Sequence, residues 1–221
     1  MGNSIKAYED RNAGLSPDHI RDYVEEVTLR QWSGIGLDVG TGSGGWVKRL
    51  LKSNKFSKLY CCDIIDCRGD DVKSLDFFKA DLANEPIALA DGVLDYVFAI
   101  EVIEHIENPR RFIREVYRVL KPGGKFVMST PSCDSFRARL SLFLRGYFPA
   151  FCRGDYDGSG HITPITVVDF SRMLGEAGFS SRRDDFGMSG QIPALKRSWQ
   201  SVFPFLKGSL WSDNFISIAK K

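Results

Sequence analysis

The sequence predicts an α/β fold, a mainly parallel sheet covered by helices, and three observations carry that expectation. Short apolar runs alternate with helix-period segments through the middle of the 221-residue chain. A glycine cluster follows the first of these runs directly and opens the next helical pattern. No internal repeat, low-complexity tract or linker divides the chain, so one domain with one core is expected.

Taken in order, Ser16-Pro17-Asp18 reads as an N-cap followed by a first-turn proline and predicts a helix running to about Gln31, ahead of the sheet. Strands are predicted at 36–39, 58–62, 77–79, 94–100 and 125–129. Between the fourth and fifth, Pro109 opens a segment whose Phe112, Ile113, Val116 and Leu120 recur at helical spacing, and Lys121-Pro122-Gly123-Gly124 is expected to end it. Thr166, with Asp169 three residues later, resembles a capping box and starts a helix over 166–177 that Gly178 closes. Two late strands are predicted near 179–186 and 214–219.

Composition narrows the class. Hydrophobic residues at 43% and charged residues at 26% suit a water-soluble globular protein and exclude a disordered or membrane-spanning chain. A formal charge of +2 implies no nucleic-acid partner, although a basic face can hide inside a balanced total. The five cysteines form no C-x-x-C pair and are odd in number, which argues against a zinc site or a disulfide framework and for a cytoplasmic protein. The start, Met1 to Lys6, lacks an apolar signal core and places Lys6 where a myristoylation site wants Ser or Thr, so no export signal or lipid anchor is expected.

The segment Leu37-Asp38-Val39-Gly40-Thr41-Gly42-Ser43-Gly44-Gly45-Trp46 brings backbone close to a ligand at a strand-to-helix turn. Gly40, Gly42 and Gly45 also satisfy G-x-G-x-x-G, so the glycines alone leave a nicotinamide dinucleotide open. Asp38 shifts the balance, because a carboxylate there repels a pyrophosphate but attracts a cationic amino acid group. S-adenosylmethionine has such a group and no phosphate. Asp63 ends the next apolar strand, where a carboxylate can accept hydrogen bonds from both ribose hydroxyls, and Asp81, after the third strand, is placed for an adenine amino group.

With LDVGTGSGGW, Asp63, ADL, LDYVFAIEVIEHIENP, VLKPGGKFVMSTP and a closing GF-strand-strand unit, the chain resembles the class I S-adenosylmethionine-dependent methyltransferases from about residue 34 onward. EVIEHIENP and KPGG resemble the branch containing ubiquinone- and menaquinone-type methyltransferases. The resemblance implies a Rossmann-like three-layer sandwich, its seven-stranded, mostly parallel sheet ending in an antiparallel last strand. It also implies a cofactor site of Asp38, Gly40, Thr41, Gly42, Gly44, Asp63, Ile64, Asp81, Leu82, Ile100 and Glu101, with S-adenosyl-L-methionine as the cofactor. Residues 1–33 are then a helical cap and 34–221 the methyltransferase domain, with substrate-cover insertions near 134–160 and 190–212.

The expected reaction is methyl transfer, at oxygen, to a small-molecule, sugar or lipid-linked acceptor. His105 and His161, the latter at the exit of a Gly-rich loop over 154–160, are the candidate bases near neutral pH. The quinone-type E-x-x-E-H spacing further suggests a divalent ion on Glu101, Glu104 and His105, set against ordinary capping roles for those residues. In the cover segments, Arg137, Arg139 and Arg145 alternate with Phe136, Leu140, Phe143, Tyr147 and Phe148, while Lys196, Arg197 and Lys207 alternate with Trp199, Phe203, Phe205 and Trp211. One reading is an amphipathic lid in peripheral contact with the inner face of a membrane, the other a lid packed on the domain with its arginines in water. Nucleic-acid base methylation is disfavoured, because Ile100-Glu101-Val102-Ile103 stands where such enzymes carry an Asn/Asp-Pro-Pro-aromatic motif. A non-catalytic cofactor-binding scaffold and a nicotinamide-dependent oxidoreductase are the alternatives.

Overall fold

The computed structural model describes residues 18–28, 32–186 and 189–221. Seven strands, β1 (Gly34–Val39), β2 (Phe56–Asp63), β3 (Asp76–Lys79), β4 (Leu94–Ile100), β5 (Leu120–Pro131), β6 (Ser181–Asp185) and β7 (Asn214–Lys220), form one sheet in the order β3-β2-β1-β4-β5-β7-β6. Strands β1 to β5 pair in parallel, and β7 lies antiparallel to both β5 and β6. Strand order runs outward in opposite directions from β1 and β4. The carboxyl ends of these two strands therefore face the crevice where open α/β sheets hold their ligands.

The helices are α1 (Asp18–Thr28), α2 (Gly45–Lys52), α3 (Pro109–Val119), α4 (Phe136–Arg145), α5 (Arg153–Gly158), α6 (Val167–Ala177) and α7 (Trp199–Val202). Alternation along the strands sends side chains to two cores. Leu37, Val39, Val97, Ala99, Phe126 and Met128 meet Phe112, Ile113 and Val116 of α3 and Phe170 and Leu174 of α6. Phe98, Ile100 and Val127 meet Ile20 and Val24 of α1 and Trp46, Val47 and Leu50 of α2. At roughly 1.5–3 kcal/mol for each large side chain buried, these two layers hold the sheet ends in place.

Local signals start and stop the elements as expected at several points. Asn108 accepts a hydrogen bond from the Arg111 N–H ahead of Pro109, and Thr166 accepts one from the Asp169 N–H at the head of α6. Gly178 closes α6 at φ +100°. The cap at Ser16 and Pro17, and the last residues of the helix expected to reach Gln31, lie outside the described residues.

Two expectations need correction. The Lys121-Pro122-Gly123-Gly124 stretch belongs to β5, which begins at Leu120 directly after α3 ends. Gly123 takes φ +83° and donates its N–H to the Lys221 carbonyl, so a tertiary bond to the end of β7 holds this stretch in the sheet. The stretch 154–160 is also not simply a Gly-rich loop, because most of it is α5, closed at its start by the Asp155 carboxylate accepting from the Cys152 N–H.

Candidate cofactor and acceptor site

The expected cofactor residues gather at the carboxyl ends of β1 to β4. Asp38 lies in β1, Asp63 ends β2, Asp81 and Leu82 follow β3, Ile100 ends β4 and Glu101 follows it. The turn between β1 and α2 is built by left-handed glycines: Gly40, Gly42 and Gly44 have φ of +66°, +52° and +90°. A Cβ on Gly40 would stand 2.5 Å from Val102 Cγ2, and one on Gly44 2.5 Å from Val72 Cγ2. These two glycines thus meet a demand of the protein's own packing. The Thr41 side chain is turned inward, its hydroxyl donating to the Asp38 carbonyl at 2.8 Å and accepting from the Cys62 N–H at 3.2 Å.

Asp63 ties the turn to β2. One carboxylate oxygen accepts from the Gly42 N–H and the other from the Ile64 N–H, both at 2.7 Å. Each oxygen keeps a second lone-pair direction, so these bonds are compatible with holding a hydroxyl as well. The Asp81 carboxylate is similarly occupied, accepting from the Ala83 N–H at 3.0 Å and the Asn84 side-chain amide at 2.9 Å, in the manner of a turn-forming aspartate.

Asp38 is 2% exposed, and its Oδ2 has no hydrogen-bond partner among the described residues. Burial, and next the nearby Asp63, hold its carboxyl well above the usual carboxylate range, with Arg21 pulling the other way. A buried acceptor without a donor costs about 1–3 kcal/mol, a cost that a bound ammonium group would relieve. The residues present therefore fit a cofactor with a cationic amino acid end.

Beyond β4 the chain turns through a short 3-10 segment, Ile103–His105. Glu101 takes φ +56°, a strained value for a non-glycine residue and common at binding sites. Its carboxylate accepts from the Ser129 hydroxyl at 2.7 Å, and burial lifts its pKa to about 7 against hydrogen bonds from Ser129 and Asn214. Glu104 is fully buried; its Oε2 accepts from the Thr130 hydroxyl at 3.0 Å, while Oε1 has no partner among the described residues.

The two candidate histidines, remote in sequence, come together. Ile162 and Thr163 both donate their N–H to the Glu104 carbonyl at 3.0 Å, and the Thr163 hydroxyl donates to the Ile106 carbonyl at 2.7 Å. These bonds clamp the segment after α5 onto the 3-10 turn and set the His105 and His161 rings 4.8 Å apart, edge to face. His105 Nδ1 meets the Gly160 carbonyl at 3.1 Å, and His161 Nδ1 meets the Ala150 carbonyl at 2.7 Å. A carbonyl only accepts, so each Nδ1 carries a proton, and in the neutral ring Nε2 keeps its lone pair. Burial, and then His161, push the His105 imidazole down to about 4. It stands neutral at physiological pH and is a weaker base than the near-neutral one expected from the sequence.

One ligand atom each from Glu104, His105 and His161 lies within 4.8 Å of the others. No metal was the expectation, with Glu101, Glu104 and His105 as the alternative set, and Glu101 is not in that group. Signals missed in the sequence are Ser129 and Thr130 on β5, which reach across to hold the two glutamates, and Asn214 at the start of β7. Asn214 also lines a cleft of about 390 Å³ with His19, Gln191, Lys196 and Arg197.

The sheet order, the turn with its orphaned acid and the acids at successive strand ends define an α/β domain that binds a nucleoside cofactor bearing a cationic amino acid. The chain belongs to the methyltransferase-domain family, matched over residues 16–182. It is a Rossmann-like class I member, and its cofactor is S-adenosyl-L-methionine. The nicotinamide alternative falls with that assignment.

Among relatives, it is 40% identical over 105 residues to a protein of Mycolicibacterium smegmatis named "Probable S-adenosylmethionine-dependent methyltransferase", covering 48% of this chain and 35% of that one. It is 38% identical over 72 residues to the mitochondrial ubiquinone biosynthesis O-methyltransferase of Dictyostelium discoideum, covering 33% and 22%. The matches span little more than a third of the length of these curated relatives at most. A crystal structure of an S-adenosylmethionine-dependent methyltransferase from Archaeoglobus fulgidus superposes with a TM-score of 0.67 at 16% identity over 99% of both chains, a likeness of fold.

Proposed function

We propose that this chain transfers a methyl group from S-adenosyl-L-methionine to a hydroxyl oxygen of a small-molecule, sugar or lipid-linked acceptor, within the ubiquinone/menaquinone-type branch of its family. The cofactor supplies the electrophilic methyl group when bound. Asp38 would take its ammonium end, the 40–44 turn with Ile64 would lie against it, Asp63 would hold the ribose, Asp81 and Leu82 the adenine, and the backbone at Ile100 and Glu101 the methionine part. The cover segments over 134–160 and 190–212 would close the acceptor side and keep water out, with α1, the described helix within residues 1–33, as a cap. The five free thiols suit a cytoplasmic protein, at most peripheral to a membrane.

The observation that carries the oxygen assignment is the His105–His161 pair, with both Nδ1 protons given to backbone carbonyls and both Nε2 atoms left as acceptors. A hydroxyl loses its proton as it attacks, and a neutral imidazole at the carboxyl end of β4 can accept it. Methyl-label transfer from the cofactor into fractionated extract should find an acceptor for the native protein. His105→Ala and His161→Ala should each lower turnover by roughly 10²–10⁴-fold with cofactor affinity retained. Unchanged turnover in both variants would refute the base assignment. Failure to label any acceptor despite cofactor binding would favour the scaffold.

A second use of the same cluster has its own support, the unpartnered Glu104 Oε1 beside two imidazoles. Glu104, His105 and His161, rather than Glu101, would then hold a divalent ion. Loss of activity on chelation, restored by added metal, would select this reading.

A further inference from the structure

The balanced charge of the whole chain hides a polarised surface. Between Asp134 and Asp155, and again between Asp185 and Asp213, the sequence holds seven basic residues and no acid, leaving 23 basic and 28 acidic residues elsewhere. Arg137, Arg139 and Arg153 have partners in the flanking acids Asp213, Asp134 and Asp157. Arg145, Lys196, Arg197 and Lys207 face no carboxylate within ion-pair distance among the described residues, and all four are exposed. In the acid-free stretch between Asp38 and Asp63, Lys48, Arg49 and Lys58 pair with acids from other elements, and among the described residues Lys52 does not.

The same two stretches carry nine of the thirteen large apolar side chains exposed among the described residues. Phe143 is 85% exposed, Phe205 77% and Leu144 66%. Tertiary packing joins the stretches: the Phe136 ring lies 5.7 Å from Trp199 and 6.1 Å from Trp211, and Arg137 pairs with Asp213 at 3.1 Å. Phe143 follows Phe136 by two helical turns and so stands on the side of α4 that meets α7. Beside this surface lies the cleft lined by Lys196, Arg197 and Asn214, and Asn214 lies near Glu101 after the end of β4.

We propose that this surface docks the protein on an anionic lipid bilayer, with the Phe143, Leu144 and Phe205 side chains entering the interface and Arg145, Lys196, Arg197 and Lys207 meeting the headgroups. Exposed apolar side chains gathered among exposed cations on a soluble domain mark a surface that meets a partner or a membrane. A second copy is a poor occupant, because it would set uncompensated cations against the same cations. An anionic membrane satisfies both parts of the surface at once, and basic residues near such a surface are each drawn to it. No helix of the described residues is long and apolar enough to cross a membrane, so this contact would be peripheral. The proposal takes up the peripheral-membrane part of the function proposed above and does not depend on methyl transfer.

The test is flotation of the full chain with vesicles of phosphatidylcholine alone and of phosphatidylcholine mixed equally with phosphatidylglycerol. Cofactor binding is followed by calorimetry on the same sample. The protein should float with the mixed vesicles and not with phosphatidylcholine alone, and raised salt should weaken the binding. Phe143→Ser combined with Phe205→Ser, and separately Arg145→Glu combined with Lys207→Glu, should each lower vesicle binding at least tenfold. Both should leave the melting temperature and cofactor binding unchanged, because these side chains are exposed. Absence of binding to the mixed vesicles by protein that still binds cofactor would overturn the proposal and leave the methyltransferase reading standing. So would self-association, or binding to an acidic protein, that the same substitutions abolish while vesicle binding persists.

Discussion

At the residue scale, the site depends on carboxyl groups placed in three different states. Asp63 is satisfied by two backbone N–H groups, Asp38 is buried with one oxygen unpartnered, and Glu101 and Glu104 are held by hydroxyls from the next strand. Charge-assisted bonds of the Asp63 kind are worth about 1.5–3 kcal/mol each. Asp63→Asn turns one N–H acceptor into a donor facing a donor, so cofactor affinity should fall at least tenfold with a lower melting temperature; calorimetry and thermal unfolding would read both. Glu101 makes a pH prediction. Its folded-state pKa is raised from 4.5 to about 7, so between those values the folded chain binds more protons than the unfolded one. Stability from this group is therefore greatest at low pH and is lost as pH rises toward 7. Glu101→Gln should flatten the melting temperature across that window, leaving the similarly directed effect of Glu104; an unchanged slope would count against it.

At the scale of elements, three connections bring the chemistry together. The β1-α2 turn is shaped by Val102 and Val72 from outside it, and the 3-10 turn after β4 receives the segment after α5 through the Glu104 carbonyl. The cover segments meet through Phe136, Trp199 and Trp211. Gly40→Ala should destabilise the protein by about 1–3 kcal/mol, because it adds left-handed strain to a Cβ placed 2.5 Å from Val102 Cγ2. Adding Val102→Ala should recover only the steric part. Denaturant unfolding of the single and double variants separates the two contributions, and a neutral single variant would refute the packing argument.

At the scale of the whole molecule, two cores on opposite faces lock the sheet so that the ends of β1, β2 and β4 present their acids to one crevice. The native chain should bind S-adenosylmethionine, or its demethylated product, saturably in calorimetry and raise its melting temperature with ligand concentration. It should show no binding of NAD, which would bring a pyrophosphate against Asp38; tight binding of NAD alone would contradict the site described.

The succession of strands along the chain, the glycine turn and the acids at Asp38 and Asp63 were legible from residues alone, because each rests on a pattern within a few positions of the chain: alternation, helical period, a turn that demands glycine; the order of the strands in the sheet was not. The start of β5 was placed too late, and α5 was read as a loop, where Gly123 and Asp155 make bonds that local pattern does not encode. Only the tertiary structure joined His105 to Gly160, 55 residues away, exchanged Glu101 for His161 beside Glu104, and merged two aromatic-basic stretches into one surface. Those meetings are set by which strands lie side by side and by how the chain returns across their ends, and sequence spacing carries no measure of that distance.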